Sequence, residues 1–338
     1  MTALKREELA ELIRDAQSSA PTMPGHPRIR RVMIRGEEYV TAEARPGLPG
    51  AERFAHERSL LAVAGRTPLA DDPFYIDEEV IVHRVIQGTT LHDILLNSWP
   101  VDDEVAVTCG VALATLHGSP TPSLPRATDE QPKLFPLGIQ EWANTPDAIL
   151  AVLVQCGRFQ DWELLSGRRR PTRQEGAVLI HSDFKPDNIF LVDSEREEGH
   201  VVRLIDWELA GLGFAVEDFA ALFAGVTVAA VQSEIPRLEV VGPEAMHRAV
   251  QAGTTKTIRF MAAVTRGYRR TRAVDFSSGE LVDATALRLL ARAQGLALTA
   301  GSIGALTTLL IGLTQGLLAN RTEAAKAIDL WLGRQDGE

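Results

Sequence analysis

Polar and apolar residues alternate in two short runs near the start of the chain, Ile29 to Ile34 and Tyr39 to Ala44, with Gly36 and Glu37 between them. A period of two puts every second side chain on one face, so the runs predict the arms of a β-hairpin. Ahead of them, Lys5, Arg6, Glu7, Glu8 and Glu11 interrupt the apolar residues in the manner of an amphipathic helix, and Pro21 to Pro27 reads as a loop. The breaker cluster at 46–50 precedes a predicted helix from about Ala51 to Ala64, and Ile76 to Val85 predicts a further, buried strand. The first 86 residues thus read as a small α+β unit.

The pattern changes at Gly88. From Leu91 onward it is mainly helical, with Val101 to His117 the clearest amphipathic helix, a Pro-rich connector from Ser119 to Pro136, and helix again from Ile139 to Trp162. Two short strands, Val178 to Ile180 and Ile189 to Val192, flank a polar loop, and a third, Val201 to Ile205, ends at Asp206. The last third is helical. The division expected is a β-rich lobe over 1–86, a hinge near His83 to Gly88, and a larger helical lobe over 87–338.

Composition narrows the function classes without naming one. The 338 residues are 45% hydrophobic and 24% charged, an ordinary globular balance. The formal charge of −10 argues against a general nucleic-acid binder, which needs a basic surface to neutralise phosphates. Cys109 and Cys156 build neither a disulfide framework nor a zinc site, and the N-terminus lacks the apolar run of a secretory signal, so the expected home is cytoplasmic. Gly295 to Ala319 has no charged residue and is long enough to cross a bilayer. Its Thr, Ser, Gln and Gly content favours buried helix, and no membrane partner is expected.

The strongest local signal is His181-Ser182-Asp183-Phe184-Lys185-Pro186-Asp187-Asn188, in the loop between two apolar strands. It sets a carboxylate and a carboxamide five residues apart. Phosphoryl transfer to a hydroxyl uses a carboxylate that accepts the substrate proton and oxygen ligands that hold Mg²⁺ against nucleotide phosphates. Asp183 and Asn188 suit these two tasks, although a polar turn would use the same residue types. Leu204-Ile205-Asp206-Trp207-Glu208 then places another carboxylate at the mouth of an apolar strand, where a second metal contact is required.

The pair His-x-Asp-x4-Asn and Ile-Asp-Trp-Glu resembles the catalytic and metal-binding loops (here 181–188 and 206–208) of the aminoglycoside phosphotransferase and choline kinase superfamily, relatives of the protein kinases. Leu113 to His117, the hinge segment Val85-Ile86-Gln87-Gly88, and Gly211 through Asp218-Phe219-Ala220 add to the resemblance, which covers about residues 30 to 225. It implies an α+β, bilobal protein-kinase-like fold and an ATP- and Mg²⁺-dependent kinase that phosphorylates an alcohol group. It further implies Asp183 as catalytic base and Asn188 and Asp206 as metal ligands. Lys185 would lie near the transferred phosphate, His181 and Asp218 would be internal supports, and Glu57 would be the helix glutamate of the nucleotide lobe. The backbone at His83 and Val85 would meet adenine. One departure is plain: strand parity puts the family's phosphate-clamping lysine at Ala42, with Arg45 or another cation such as Arg35 as its substitute.

The acceptor is less legible. A small-molecule hydroxyl is the superfamily's commonest substrate. Lys185 also fits a Ser/Thr kinase acting on a natural-product precursor peptide with a partner lyase, and the missing lysine fits a non-catalytic pseudokinase scaffold. Lys256, Arg259, Arg266, Arg269, Arg270 and Arg272 lie in a stretch without acidic residues, and Arg168, Arg169, Arg170 and Arg173 form a second run. Each reads as a solvated face or as a surface for an anionic partner.

Overall fold

The structure is a computed structural model that describes residues 6–19, 22–23, 26–43, 51–64, 69–70, 73–120, 124–127, 139–156, 176–193, 199–235 and 242–333. In chain order the elements are α1 (Arg6–Ser19), β1 (Thr22–Met23), β2 (His26–Ile34), β3 (Glu37–Glu43), α2 (Ala51–Ala64), β4 (Tyr75–Ile76), β5 (Val80–Arg84), β6 (Thr89–Thr90), α3 (Leu91–Asn97) and α4 (Asp103–His117). There follow α5 (Ile139–Ala143), α6 (Asp147–Cys156), β7 (Val178–Ile180), β8 (Ile189–Asp193), β9 (His200–Leu204), β10 (Gly211–Gly213), α7 (Ala215–Glu234), α8 (Pro243–Tyr268), α9 (Ser278–Ala300), α10 (Ala305–Ala319) and α11 (Arg321–Trp331). Residues 1–89 and 190–210 form one compact unit, and 90–189 with 211–338 form the other.

In the first unit a five-stranded sheet has the order β1-β2-β3-β5-β4, all pairs antiparallel. The predicted hairpin forms with a two-residue turn in which Arg35 (φ 54) and Gly36 (φ 85) are both left-handed, the twist that matches flanking strands. Val32, Ile34, Tyr39, Val80 and Val82 share one face, which gathers with Ile13 of α1 into a core. The opposite face carries Arg31, Val40, Ala42 and Ile81 by register.

Two predicted elements divide. The strand expected over 76–85 is a hairpin of β4 and β5, because the Asp77 carboxylate accepts the N–H groups of Glu79 (2.7 Å) and Val80 (2.8 Å) and folds the chain back. The helix expected from Ile139 is interrupted after Ala143, and Pro146 precedes the start of α6 at Asp147; positions beyond Cys156 lie outside the described residues. The loop expected over 21–27 contains the short β1, paired with β2.

The second unit is helical. Leu153, Val228, Leu289 and Leu310 bring α6, α7, α9 and α10 into one apolar core. The uncharged run from Gly295 is not one helix: Gly301 (φ 67) closes α9, and α10 starts after Gly304. Among the described residues, the helix that is long and apolar enough to cross a membrane is instead α7, and 83% of its most apolar window is buried inside the protein.

Helices α4 and α8 approach through glycine. A Cβ on Gly110 would lie 1.9 Å from the Val264 carbonyl oxygen, and one on Gly267 would lie 2.1 Å from that of Val107. Any side chain there must push the helices apart. Gly110→Ala is expected to lose about 2 kcal/mol of stability through overpacking, read as a lower urea midpoint with unchanged slope; an unchanged midpoint would refute the close approach.

Candidate active site

The loop between β7 and β8 hangs on one buried carboxylate. Asp218, in the first turn of α7, accepts the His181 N–H at Oδ2 (2.9 Å) and the Ser182 N–H at Oδ1 (2.8 Å). His117, the last residue of α4, brings Nε2 to 3.2 Å from Asp218 Oδ2 and Nδ1 to 3.1 Å from the Tyr268 hydroxyl at the end of α8. A carboxylate can only accept, so Nε2 carries a proton, and in the neutral ring Nδ1 then accepts from the Tyr268 hydroxyl. Burial raises the Tyr268 pKa, which keeps that donor protonated. Asp218, His117 and Tyr268 are all almost fully buried.

Ser182 adopts φ 65, a left-handed conformation costly for a residue with a side chain. The kink carries Asp183 out of the β7 direction. There Lys185 Nζ lies 2.6 Å from Asp183 Oδ2, and Asn188 Nδ2 donates to Asp183 Oδ2 and to its backbone oxygen, both at 3.0 Å. Burial alone would raise the Asp183 pKa. The Lys185 ammonium, helped by the charges of His181 and Arg288, outweighs it and holds the carboxyl below its ordinary value. Gly225 lets the Pro186 turn seat against α7, since a Cβ there would meet Pro186 Cδ at 2.3 Å.

The structure therefore brings together five of the expected residues, His181, Asp183, Lys185, Asn188 and Asp218. Asp206 belongs to the other unit, where it ends β9 in a left-handed conformation (φ 64) with its side chain exposed. Trp207 behind it is buried and donates from Nε1 to the Leu204 carbonyl (3.0 Å). Glu57 is half-buried on α2 in the same unit. Its neighbour His56 supplies a contact that the motif search missed, with Nε2 2.7 Å from the Ala210 carbonyl, so α2 is fastened to the segment that follows Asp206.

Ala42 stands on the face opposite the α1 core, paired with Ile29 and Ile81. Arg35 does not replace the missing lysine: it sits at the hairpin tip, beyond five residues or roughly 17 Å of strand at ~3.4 Å per residue. Arg45 lies outside the described residues. The described cation on the face of Ala42 is Arg31, one step along β2 and paired with Glu38 at 3.4 Å. Period-two parity could have found it. His83 faces the same side from β5. The Val85 N–H is spent on the Glu38 carbonyl at 3.3 Å. Gly88 is required just beyond, because a Cβ would lie 2.6 Å from the Leu191 carbonyl oxygen.

The basic stretch on α8 is neither a bare solvated face nor a free anionic surface. Arg259 and Arg266 both reach Asp103 (3.4 and 2.7 Å), Lys256 is bound to Glu234 and lies 5.0 Å over the Trp99 ring, and Arg272 donates to the His117 carbonyl. The run at 168–173 lies outside the described residues. Burial pushes the Cys109 and Cys156 thiols up to about 12, so neither offers a thiolate. Among the described residues, no three His, Cys, Asp or Glu side chains gather around a metal position.

With this geometry in hand, comparison with known proteins is direct. A small antiparallel sheet unit and a helical unit that bears the clamped loop make up a bilobal, protein-kinase-like fold. The chain belongs to the APH phosphotransferase enzyme family, whose model matches residues 7–251. Among solved structures, it resembles a choline kinase from Cryptosporidium parvum Iowa II (TM-score 0.56, 13% identity, covering 98% of this chain and 100% of that one). It also resembles a choline/ethanolamine kinase family protein from Mesorhizobium loti (TM-score 0.52, 16% identity, 96% and 98% covered). A choline kinase from Streptococcus pneumoniae is similar at a TM-score of 0.50, with 13% identity and 94% and 100% covered. No curated protein sequence matches the chain.

Two outcomes check the site. Asp218→Ala strands three buried donors and should cost at least about 3 kcal/mol in chemical denaturation. Because the Asp183 pKa is lowered in the folded state, its contribution to stability is present above the unfolded pKa and is lost as pH falls through the folded one. Lys185→Met should move the Asp183 carboxyl titration upward in NMR, and an unmoved titration would disprove Lys185 as the main cause.

Proposed function

We propose that this protein transfers the γ-phosphate of ATP, with Mg²⁺, to a hydroxyl group of a small molecule. The observation that carries this reading is the Asp183 carboxylate, ionised by Lys185, oriented by Asn188, and held on a loop that Asp218 fixes from behind. A carboxylate so placed accepts the hydroxyl proton as the oxygen attacks phosphorus. Lys185 keeps it deprotonated and sets a positive charge beside the reacting group.

Asn188 and Asp206 are the proposed Mg²⁺ ligands. The Asn188 amide nitrogen is committed to Asp183, and no described donor takes its Oδ1, the atom type a hard cation prefers. The exposed Asp206 carboxylate is of the same type. Mg²⁺ is commonly held by one or two such groups together with nucleotide phosphates. When bound, the ion neutralises charge on the phosphates. The family membership supports phosphotransfer, and the choline kinases among similar folds favour a small acceptor over a protein.

Mg-ATP at millimolar concentration should raise the melting temperature by linkage. Asp183→Ala should keep its fold and its Mg-ATP shift while losing about a hundredfold or more in kcat, measured as phosphate transferred or released. Equal turnover by wild type and Asp183→Ala under every acceptor tested would sink the assignment.

A further inference from the structure

Helix α9 presents two arginines one turn apart to the catalytic loop. Arg288 Nη2 lies 3.7 Å from Glu217 Oε2, and Arg292 Nη2 lies 3.7 Å from Asp187 Oδ2. Glu217 immediately precedes Asp218, Asp187 lies inside the loop itself, and the Arg288 charge is felt at Asp183. One guanidinium group therefore acts on the Asp183 carboxylate and the other faces the loop that carries it, within one unit.

Neither group is satisfied by what it touches. Ion pairs of 3.7 Å exceed hydrogen-bonding distance, and among the described residues neither arginine makes a hydrogen bond. Arg321 shows what a completed pair on this helix looks like: it grips Asp283 with two bonds, of 2.7 and 2.9 Å. The partners of the other two are also divided. Glu217 uses Oε1 to accept the Phe214 N–H at the start of α7, and Asp187 is shared with His92 at 3.7 Å. Side chains only 20% and 28% exposed thus keep their forks of N–H donors uncommitted. Ordering two such long cationic groups without hydrogen bonds is costly, and a bidentate oxyanion completes them. Lys185 cannot do this, being held by Asp183. Beyond Arg292, a Cβ on Gly295 would have nothing within 4 Å, so this end of the helix face has room for a ligand.

We propose that Arg288 and Arg292 form an oxyanion-recognition pair, so that the accepting molecule carries a carboxylate or phosphate group close to the hydroxyl that is phosphorylated. The proposal rests on the phosphotransferase reading of the site. It sets this protein apart from a kinase for a cationic acceptor such as choline, whose charge two guanidinium groups would repel.

The test is calorimetric titration of the protein saturated with Mg²⁺ and a non-hydrolysable ATP analogue. Inorganic phosphate, malonate and choline are titrated separately at matched ionic strength, and the first two distinguish a phosphate from a carboxylate preference. Expected is single-site binding of one or both anions, weakened at least about tenfold (about 1.4 kcal/mol) in Arg288→Gln and in Arg292→Gln. Arg288→Lys, which keeps the charge, should recover part of the loss, while affinity for the nucleotide analogue stays constant and choline does not bind. Four results would overturn the proposal: no anion binding by wild type, equal binding by folded Gln variants, choline binding at the same place, or a parallel fall in nucleotide affinity, which would hand the forks to the nucleotide. Nucleotide binding without anion binding sinks the anion pair alone. Arginine-dependent anion binding by a protein that takes no nucleotide sinks the phosphotransfer reading alone.

Discussion

One buried carboxylate, Asp218, organises the loop between β7 and β8. Asp218 accepts two consecutive backbone N–H groups of the loop and a ring N–H of His117, and through His117 it meets Tyr268. Four stretches of chain far apart in sequence thus converge on two oxygen atoms. The left-handed Ser182 persists because both N–H groups flanking its strained position are fixed. Released from Asp218, the loop would lose the constraint that aims Asp183, and no contact made by Lys185 or Asn188 would restore it, since both ride on the same loop. Aromatic packing stiffens the support, with Phe219 edge-on to Tyr268 and to Phe276 at 5.0 Å.

Much of this was legible in the sequence because it is local. The alternation from Ile29 to Ala44, the apolar runs around the loop, and the spacing of Asp183 and Asn188 each depend on neighbours along the chain. What stayed hidden depends on register or on distant partners. The place of Arg35 at a hairpin tip and of Arg31 on the face of Ala42 follows from which residues pair, not from which are near in sequence. The clustering of 190–210 with the first unit follows from contacts such as the Leu204 N–H to the Leu69 carbonyl at 2.9 Å, which no linear division reveals. The basic stretch on α8 looked unpaired because Asp103, the partner of Arg259 and Arg266, lies about 160 positions earlier.

The electrostatics around the loop are closely balanced. Asp183, Asp187, Glu217 and Asp218 stand against Lys185, Arg288 and Arg292, with the rings of His92, His117 and His181 among them. The short bonds hold the loop's geometry, whereas the contacts at 3.7 Å are those of Arg288 and Arg292 on α9 and of His92 on α3. Groups that only hold a fold together tend toward complete hydrogen bonding, and the two arginines depart from that tendency.

The glycine contact between α4 and α8 has a mechanical meaning. Most helix pairs touch through side chains, which can change rotamer and absorb a small displacement. Here backbone meets backbone at Gly110 and Gly267, and Arg259 and Arg266 of α8 are fastened to Asp103 at the start of α4. At these two contacts there is no side-chain layer to absorb a displacement, and just beyond them the helices end in His117 and Tyr268, so the seam serves as the mount of the Asp218 clamp.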